Sequence, residues 1–225
     1  MKLYTRQAAC SLSCHIAVLE LGLPIDVHSV AKPSNLASDG TDFAQVNPLG
    51  YVPALASEDS TVILEAAVIL QHLADQKPGS LLPTGARERL AAQSMLNFIA
   101  TELHKHLALV FKPEFRAVRD ELLAKVSARL DWLEGRLAPY ALGATFSVAD
   151  AYLLAVLNWT QFTGPDLRRW PKLMNLMELV RARPAVQAAL AAEDLVLRGT
   201  AFFVPRVMPE ELRTPLPPVG QNAPQ

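Results

Sequence analysis

The sequence predicts an α/β unit with a mixed four-stranded sheet, followed by an all-helical domain. Strand and helix patterns alternate through the first part of the chain, and strand-like alternation is missing after the break at 77–84. Hydrophobic residues make up 51% of the 225 residues, which is enough to build buried cores. We therefore expect domains at 1–78 and 86–199, and a proline-rich tail at 200–225 that is either poorly ordered or wrapped on the surface.

Local patterns define each element of the α/β unit. Apolar side chains at helical spacing predict helices, alternation predicts strands, and Gly22 with Pro24 ends the first helix. A polar, turn-rich stretch is typical of a loop. The predicted order is a strand at 2–4, a helix at 11–21, a strand at 25–30, a loop at 32–41, a hairpin of 53–56 with 61–63, and a helix at 65–76.

The second half of the chain shows only helical periodicity. Ser147 and Asp150 form a capping-box pattern, in which each side chain satisfies a free backbone N–H group of the other residue at a helix start. The predicted helices are 87–110, 114–137, 148–159, 172–182 and 185–192.

Charge and cysteine content narrow the functional classes. The formal net charge of −1 does not favour a nucleic-acid or anionic-membrane partner, and no apolar run reaches the length of a spanning helix. The N-terminus lacks a secretory pattern, so we expect a cytoplasmic protein with reduced cysteines. No metal site is expected, because Cys10, Cys14 and His15 lack the spacing and a fourth ligand.

Two neighbouring motifs indicate a pocket for a small peptide-like ligand. If the Val52–Pro53 bond is cis, the Val52 N–H and C=O face outward and can pair with a ligand backbone. Glu65-Ala66 opens a helix, where free N–H groups bind an anion and Glu65 can pair with an ammonium group. Taken alone, Glu65 is better explained as a carboxylate placed for the helix dipole. Together the motifs describe a site for a zwitterionic amino acid.

Cys10 lies directly before the first predicted helix. A helix N-terminus stabilises anions, so a cysteine there can be a thiolate at neutral pH. Cys10-Ser11-Leu12-Ser13 also has the shape of a dithiol redox motif with serine as its second member. The alternative is an inert buried cysteine, as most free cysteines are. We favour a functional Cys10 and a packing role for Cys14.

The helix around residue 100 carries a polar face. Asn97, Thr101, His104 and Lys105 share it, and they could serve an anionic ligand. An ordinary solvated face is an equally good explanation. The opposite, apolar face consists of Leu96, Ile99, Leu103, Leu107 and Val110, with the structural His106 close to it.

At this point the sequence resembles the glutathione S-transferases, and specifically the bacterial beta class. The resemblance covers the chain to about residue 195. Its motifs are the Cys10 to Ser13 segment, the stretch from Asn47 to Leu55, and the Ser147 to Asp150 box. It implies a thioredoxin-like N-terminal domain, an all-helical C-terminal domain and a homodimer.

The resemblance also implies a role for each candidate residue. Val52, beside cis-Pro53, would pair with the cysteinyl part of glutathione, while Glu65 and the helix start at Ala66 would hold the γ-glutamyl end. Cys10 and Ser11 would face the glutathione sulfur. On the polar face, Asn97 and Thr101 would reach glutathione bound in the partner subunit, while His104 and Lys105 would lie beside the sulfur. The electrophile would bind at 108–115 and 159–162.

Several positions depart from the family pattern. Ala66 replaces a serine whose hydroxyl helps to bind the γ-glutamyl carboxylate, and losing such a bond weakens binding by roughly 1.5–3 kcal/mol. Gln7-Ala8-Ala9 replaces the common Pro-Gly before the cysteine, and Cys14 stands where proline is usual. Lys32 is the nearest cation for the glycyl carboxylate.

These features lead to a main functional hypothesis and three alternatives. The main one is a detoxification-type transferase that uses glutathione as co-substrate and no metal, joining its thiolate to small hydrophobic electrophiles. Ser11 and the helix start would donate hydrogen bonds to the sulfur, with positive character from His104 and Lys105. The alternatives are a glutathione-dependent thiol–disulfide oxidoreductase that uses Cys10, a non-catalytic ligand- or partner-binding protein, and an isomerase or dehalogenase.

Overall fold

A computed structural model describes residues 1–59 and 61–207 of the chain. Its N-terminal part contains a mixed four-stranded sheet in the order β2-β1-β3-β4. Strands β1 and β2 run parallel, whereas β3 is antiparallel to both β1 and β4, which confirms the predicted α/β unit. The strands are β1 (Lys2–Thr5), β2 (Asp26–Ser29), β3 (Ala54–Ala56) and β4 (Val62–Leu64).

Helices α1 (Leu12–Leu21) and α2 (Ala66–Asp75) pack against each other beside this sheet. Helix α1 is buried along nearly its whole length, because it also contacts helices of the second domain. It ends at Gly22, whose φ of 57° is the left-handed conformation that glycine adopts without strain. The first helix therefore carries the Cys10 loop into the interface between the domains.

The C-terminal domain is helical, as predicted. The predicted helix 87–110 contains a π-helical segment at Ile99–His104, and the predicted helix 114–137 starts as a 3₁₀ segment at Pro113–Val118. The α-helices are α3 (Ala86–Phe98), α4 (Lys105–Val110), α5 (Arg119–Glu134), α6 (Val148–Leu157), α7 (Thr160–Thr163), α8 (Pro171–Arg181) and α9 (Pro184–Ala192). Further short 3₁₀ segments lie at Phe43–Gln45 and Leu167–Arg169.

The start of α6 is fixed by the predicted capping box. The fully buried Asp150 carboxylate accepts hydrogen bonds from the Ser147 N–H and hydroxyl, both at 2.8 Å, and from the Ala141 N–H at 2.7 Å. Burial raises the pKa of Asp150 to about 6 against the opposing effect of these donors. The box joins α6 to the preceding loop.

The first residues of the predicted tail belong to a β-hairpin. Strands β5 (Leu195–Arg198) and β6 (Phe202–Pro205) form an antiparallel hairpin around Gly199, so the boundary expected at residue 200 cuts through its turn. The hairpin packs on the helical domain through Phe203, which is fully buried and whose N–H and C=O both bond to the Asn158 side chain. Two four-residue strands give too little alternation to detect in a proline-rich sequence. The rest of the predicted tail, 208–225, lies outside the described residues.

Within the described ranges, no helix combines the length and apolar character that a membrane crossing requires.

Candidate functional site

Cys10 lies where β1, the start of α1 and the Val52 loop meet. Its side chain is only 6% exposed, and its Sγ donates to the Val52 carbonyl oxygen at 3.5 Å. Two motifs more than forty residues apart in sequence are therefore in direct contact.

The protonation state of Cys10 differs from the predicted thiolate. Burial raises the pKa of the Cys10 thiol to about 12, and the Glu65 carboxylate raises it further. Hydrogen bonds from the Cys10 and Ser11 N–H groups lower the pKa, but they do not outweigh desolvation. Cys10 is thus a neutral thiol at pH 7, while backbone donors at the start of α1 still face its sulfur.

The Val52–Pro53 peptide bond is cis. The preceding loop is held by Asn47, whose buried side-chain amide donates to the Tyr51 carbonyl at 2.7 Å. None of the described residues accepts a hydrogen bond from the Val52 N–H, so this group is available to a ligand. Pairing of Val52 with a ligand backbone stays a prediction.

Glu65 caps helix α2 in an unusual conformation. Its φ of 69° lies in the left-handed region, which costs a non-glycine residue about 1–3 kcal/mol. The side chain is exposed, and its charge raises the pKa of the Cys10 thiol. Leu64 pairs with Ala54 between β4 and β3, which brings Glu65 next to the Val52–Pro53 loop. Ala66 follows as the first residue of α2 and is buried. An exposed carboxylate and the free N–H groups of a helix start thus border the Val52 edge.

Ser11 does not occupy its predicted role as a side-chain donor. Its hydroxyl donates to the Arg6 carbonyl at 3.3 Å and accepts from the Arg6 N–H at 3.0 Å. The residue is fully buried, and its hydroxyl closes the turn that precedes Cys10. Only the backbone N–H of Ser11 is directed towards the sulfur site.

His104 lies on the helical-domain side of the site. Its Nδ1 is 2.7 Å from the hydroxyl of Tyr152, and its ring contacts Trp159 edge-on at 5.1 Å between centroids. Burial, helped by the charge of Lys105, lowers the pKa of His104 to about 4. The imidazole is therefore neutral at pH 7, and the predicted positive character at this position is wrong.

The loop before Cys10 is anchored from the second domain by Trp159, which sequence analysis placed in the electrophile wall, and by Glu193, which it did not select. The Trp159 Nε1–H donates to the Ala8 carbonyl at 3.0 Å, and the Ala8 N–H donates to Glu193 Oε2 at 3.2 Å. Glu193 is also 3.1 Å from Nδ1 of the buried His15. These contacts join positions more than 150 residues apart, so no local sequence signal could have shown them.

The polar face of the helix around residue 100 is retained in part. Asn97, Thr101 and Lys105 are exposed, and the Thr101 hydroxyl donates to the Asn97 carbonyl at 3.0 Å. His104, at the end of the π-helical segment, is half-buried and contacts the Tyr152 hydroxyl. The five predicted apolar positions are all buried, whereas Lys32 is exposed on its loop.

Comparisons with known proteins agree with this arrangement. The model of the glutathione S-transferase N-terminal domain matches residues 9–76, and that of the C-terminal domain matches residues 98–184. The glutathione S-transferase GstA of Escherichia coli O157:H7 is 35% identical over 200 residues, which cover 87% of this chain and 100% of that protein.

Solved structures show the same relationship. The bacterial transferase BphK, in a ternary complex, has a TM-score of 0.83 and 42% identity over 87% of this chain and 100% of that one. A sphingomonad glutathione S-transferase complexed with glutathione has a TM-score of 0.82 and 36% identity over the same shares. A beta-class glutathione S-transferase of Sphingomonas chungbukensis has a TM-score of 0.80 and 36% identity, over 86% of this chain and 98% of that one. The chain belongs to the glutathione S-transferase family, and its similarity to the bacterial beta class is confirmed.

Proposed function

We propose that this protein transfers the thiolate of glutathione to small hydrophobic electrophiles in the cytoplasm, as a detoxification-type enzyme. The observation that carries the proposal is the direct contact between Cys10 and the Val52 carbonyl, next to the Glu65 cap. This contact, together with the pairing of Ala54 and Leu64, supports a single site formed by the Val52 edge, the start of α2 and the Cys10 sulfur.

Each part of the site suits one part of glutathione. The free N–H and the carbonyl of Val52 would pair with the cysteinyl backbone, which places the ligand sulfur beside Cys10. Glu65 would accept from the γ-glutamyl ammonium, and the N–H groups that open α2 would bind the carboxylate. Lys32 would meet the glycyl carboxylate at the exposed end of the ligand.

Backbone donors would stabilise the thiolate nucleophile. The N–H groups of Cys10 and Ser11 already lower the pKa of the thiol that they face, so a ligand thiolate placed there would accept from them. Exposed Lys105 would add positive charge, whereas the neutral His104 and the Tyr152 hydroxyl would supply dipoles. The ligand thiol first loses its proton to solvent. The thiolate then attacks the electrophilic carbon and forms the C–S bond, while the leaving group departs with its bonding electron pair, as chloride does from a chloroarene.

The aromatic wall above this sulfur site would receive the electrophile. Trp159 contacts both His104 and Phe111, whose ring lies 6.0 Å away in an edge-on arrangement. Trp159 also donates to the Ala8 carbonyl, so the apolar wall and the loop before Cys10 are held at a fixed position relative to each other. A homodimer would complete the site, with the exposed Asn97 and Thr101 facing glutathione in the partner subunit.

A Cys10→Ala variant distinguishes conjugation of glutathione from thiol–disulfide exchange. Because the backbone N–H groups stabilise the ligand thiolate, we expect the variant to keep most conjugating activity with 1-chloro-2,4-dinitrobenzene. Because only Cys10 can form a mixed disulfide at this position, we expect it to lose reduction of a glutathione mixed disulfide. A folded variant that lost conjugation completely would contradict this division of roles.

The thiol–disulfide oxidoreductase remains the second candidate. Cys10 is in the position to attack a ligand disulfide, since its sulfur faces the Val52 edge. Its raised pKa makes the thiolate scarce at pH 7, which is why we place exchange second. Exchange that is strictly dependent on Cys10 and faster than conjugation would reverse the order.

A further inference from the structure

The C-terminal end of helix α9 contacts the loop before Cys10 at several points. Glu193 is the C-cap residue of this helix, and Asp194, with a φ of 50°, turns the chain away from it. The Gln7 side chain donates to the Glu193 carbonyl at 2.8 Å and to the Asp194 carbonyl at 3.2 Å. The Glu193 side chain accepts from the N–H of the next residue, Ala8. Two consecutive residues of the loop are therefore bound by the same helix end.

The Glu193 carboxylate is buried and uses both of its oxygens. Its side chain is only 5% exposed. Oε2 accepts from the Ala8 N–H at 3.2 Å, and Oε1 lies 3.1 Å from Nδ1 of His15 on helix α1. Burial raises the pKa of this carboxyl, whereas the contacts with His15 and Ala8 lower it. A buried carboxylate is costly unless it is paired, so these two partners fix its orientation.

Ala8 connects this carboxylate to the sulfur site. Its φ of 56° is left-handed, a conformation that persists at a non-glycine residue only where the surrounding structure fixes it. Here the N–H is fixed by Glu193 and the carbonyl by Trp159. The N–H groups of Cys10 and Ser11, which face the sulfur site, follow directly after this loop. The direction of these donors therefore depends on how Ala8 is held.

We propose that Glu193 is a positioning residue for conjugation, which holds Ala8 so that the N–H groups of Cys10 and Ser11 point at the glutathione sulfur. This role rests on the proposed function, because these donors would stabilise the ligand thiolate. Glu193 acts through the loop rather than on the ligand. A displacement of about 1 Å in a catalytic group can lower a rate a hundredfold, so a residue outside the site can control the reaction.

A second carboxylate provides a matched control for the contact between the domains. Glu20, also on α1, binds the Arg183 guanidinium at the opposite end of α9 through two hydrogen bonds of 2.6 and 2.8 Å. Its side chain is 11% exposed, so it is nearly as buried as that of Glu193. Both carboxylates thus link α1 to the α9 region, but only Glu193 also binds the loop before Cys10.

Kinetics of Glu193→Ala and Glu20→Ala, together with the pKa of the bound glutathione thiol, test the proposal. The thiol is titrated by the ultraviolet absorbance of its thiolate. We expect Glu193→Ala to raise the pKa of the bound thiol by about one unit and, below that pKa, to lower kcat for 1-chloro-2,4-dinitrobenzene about tenfold. The KM for glutathione should change less than about twofold, because the Val52 edge and Glu65 are untouched. Glu193→Gln keeps an oxygen for the Ala8 N–H and should restore kcat to within about threefold of the wild type.

Glu20→Ala should keep the wild-type kcat and the wild-type pKa of the bound thiol. Equal values of both quantities in the folded Glu193→Ala and Glu20→Ala proteins would overturn the proposal. If Glu193→Ala does not fold, Glu193→Asp replaces it. This side chain is one CH₂ shorter and cannot reach both partners, so we expect a change of at least about threefold in the same direction. Wild-type kinetics in a folded Glu193→Asp protein would then overturn the proposal.

Hydrogen–deuterium exchange of the peptide that covers 6–12 tests the loop without glutathione. We expect the Ala8 amide to exchange at least about tenfold faster in Glu193→Ala, because its acceptor is lost, and at the wild-type rate in Glu20→Ala. Unchanged exchange in Glu193→Ala would overturn the proposal. Failure of the wild-type protein to bind glutathione would instead refute the proposed function, and the exchange rates would still show whether Glu193 holds the loop.

Discussion

At the scale of single residues, the environment of His104 decides its chemistry. Its ring is enclosed by Tyr152 and Trp159 and stays neutral because burial lowers its pKa to about 4. We expect the imidazole resonances of His104 to titrate near pH 4 in a two-dimensional NMR experiment, with the Tyr152→Phe protein as control for the hydroxyl contact. A midpoint near the ordinary histidine value of about 6.5 would contradict this assignment.

The same pKa shift predicts a pH dependence of stability. The unfolded chain protonates this histidine below pH ~6.5, whereas the folded protein does so only near pH 4, so the unfolded state binds more protons in between. The contribution of His104 to the free energy of unfolding is therefore full above pH ~6.5 and decreases as the pH falls towards 4. The difference between wild type and His104→Gln, measured by urea unfolding at several pH values, should show this slope, and a flat difference would exclude it.

The loop before Cys10 carries a strained residue. Ala8 has a φ of 56°, and both of its backbone groups are fixed, by Glu193 and Trp159. The left-handed conformation costs alanine about 1–2 kcal/mol in the folded state, and glycine avoids this cost. Glycine instead makes the unfolded state more favourable by roughly 0.5–1 kcal/mol, because its chain is more flexible. We expect Ala8→Gly to raise the free energy of unfolding by about 0.5–1 kcal/mol. Ala9 has no positive φ, so Ala9→Gly should lower the free energy of unfolding by a similar amount. If both variants changed the free energy of unfolding in the same direction, Ala8 would not be strained.

At the scale of elements, the capping box determines where α6 begins. Asp150→Ala removes three hydrogen bonds from a buried position, so we expect the free energy of unfolding to fall by about 1–3 kcal/mol. Asp120→Ala, in the exposed first turn of α5, should cost only a few tenths of a kcal/mol through the helix dipole. If thermal unfolding showed equal losses of stability in both variants, the hydrogen bonds of the capping box would contribute nothing beyond the effect of a carboxylate on the helix dipole.

Elements with a strong local signal were predictable, and those with a weak one were not. The strands predicted at 2–4 and 25–30, the apolar face around Leu103 and the Ser147 box are encoded within a few neighbouring residues, and the structure confirms them. The π-helical segment leaves hydrophobic spacing almost unchanged, and the C-terminal hairpin has only four residues per strand. Both are therefore set by tertiary packing rather than by the local pattern.

At the scale of the whole molecule, the site is built from both domains. Sequence motifs indicated Cys10, Val52 and Glu65 because each lies next to a turn or a helix start. The contribution of the helical domain, through Trp159 and Glu193, depends on long-range contacts that no short motif encodes. The same limit explains why the neutral state of His104 could not be predicted: its pKa depends on burial in the folded protein.

The position of Ala66 offers a gain-of-function variant at this scale. Ala66 opens α2 without a hydroxyl, so a γ-glutamyl carboxylate would lack one hydrogen bond there. We expect Ala66→Ser to tighten glutathione binding about tenfold or more, measured by calorimetry. Ala67→Ser, one residue further along the same helix, is the matched control and should leave the affinity near that of the wild type.

The most direct test of the central claim is a calorimetric titration of the reduced wild-type protein with glutathione. If the Val52 edge, Glu65 and the start of α2 form one tripeptide site, glutathione binds with a dissociation constant in the micromolar to low-millimolar range. An absence of binding heat at ~10 mM glutathione, together with no protection against thermal unfolding, would contradict the claim.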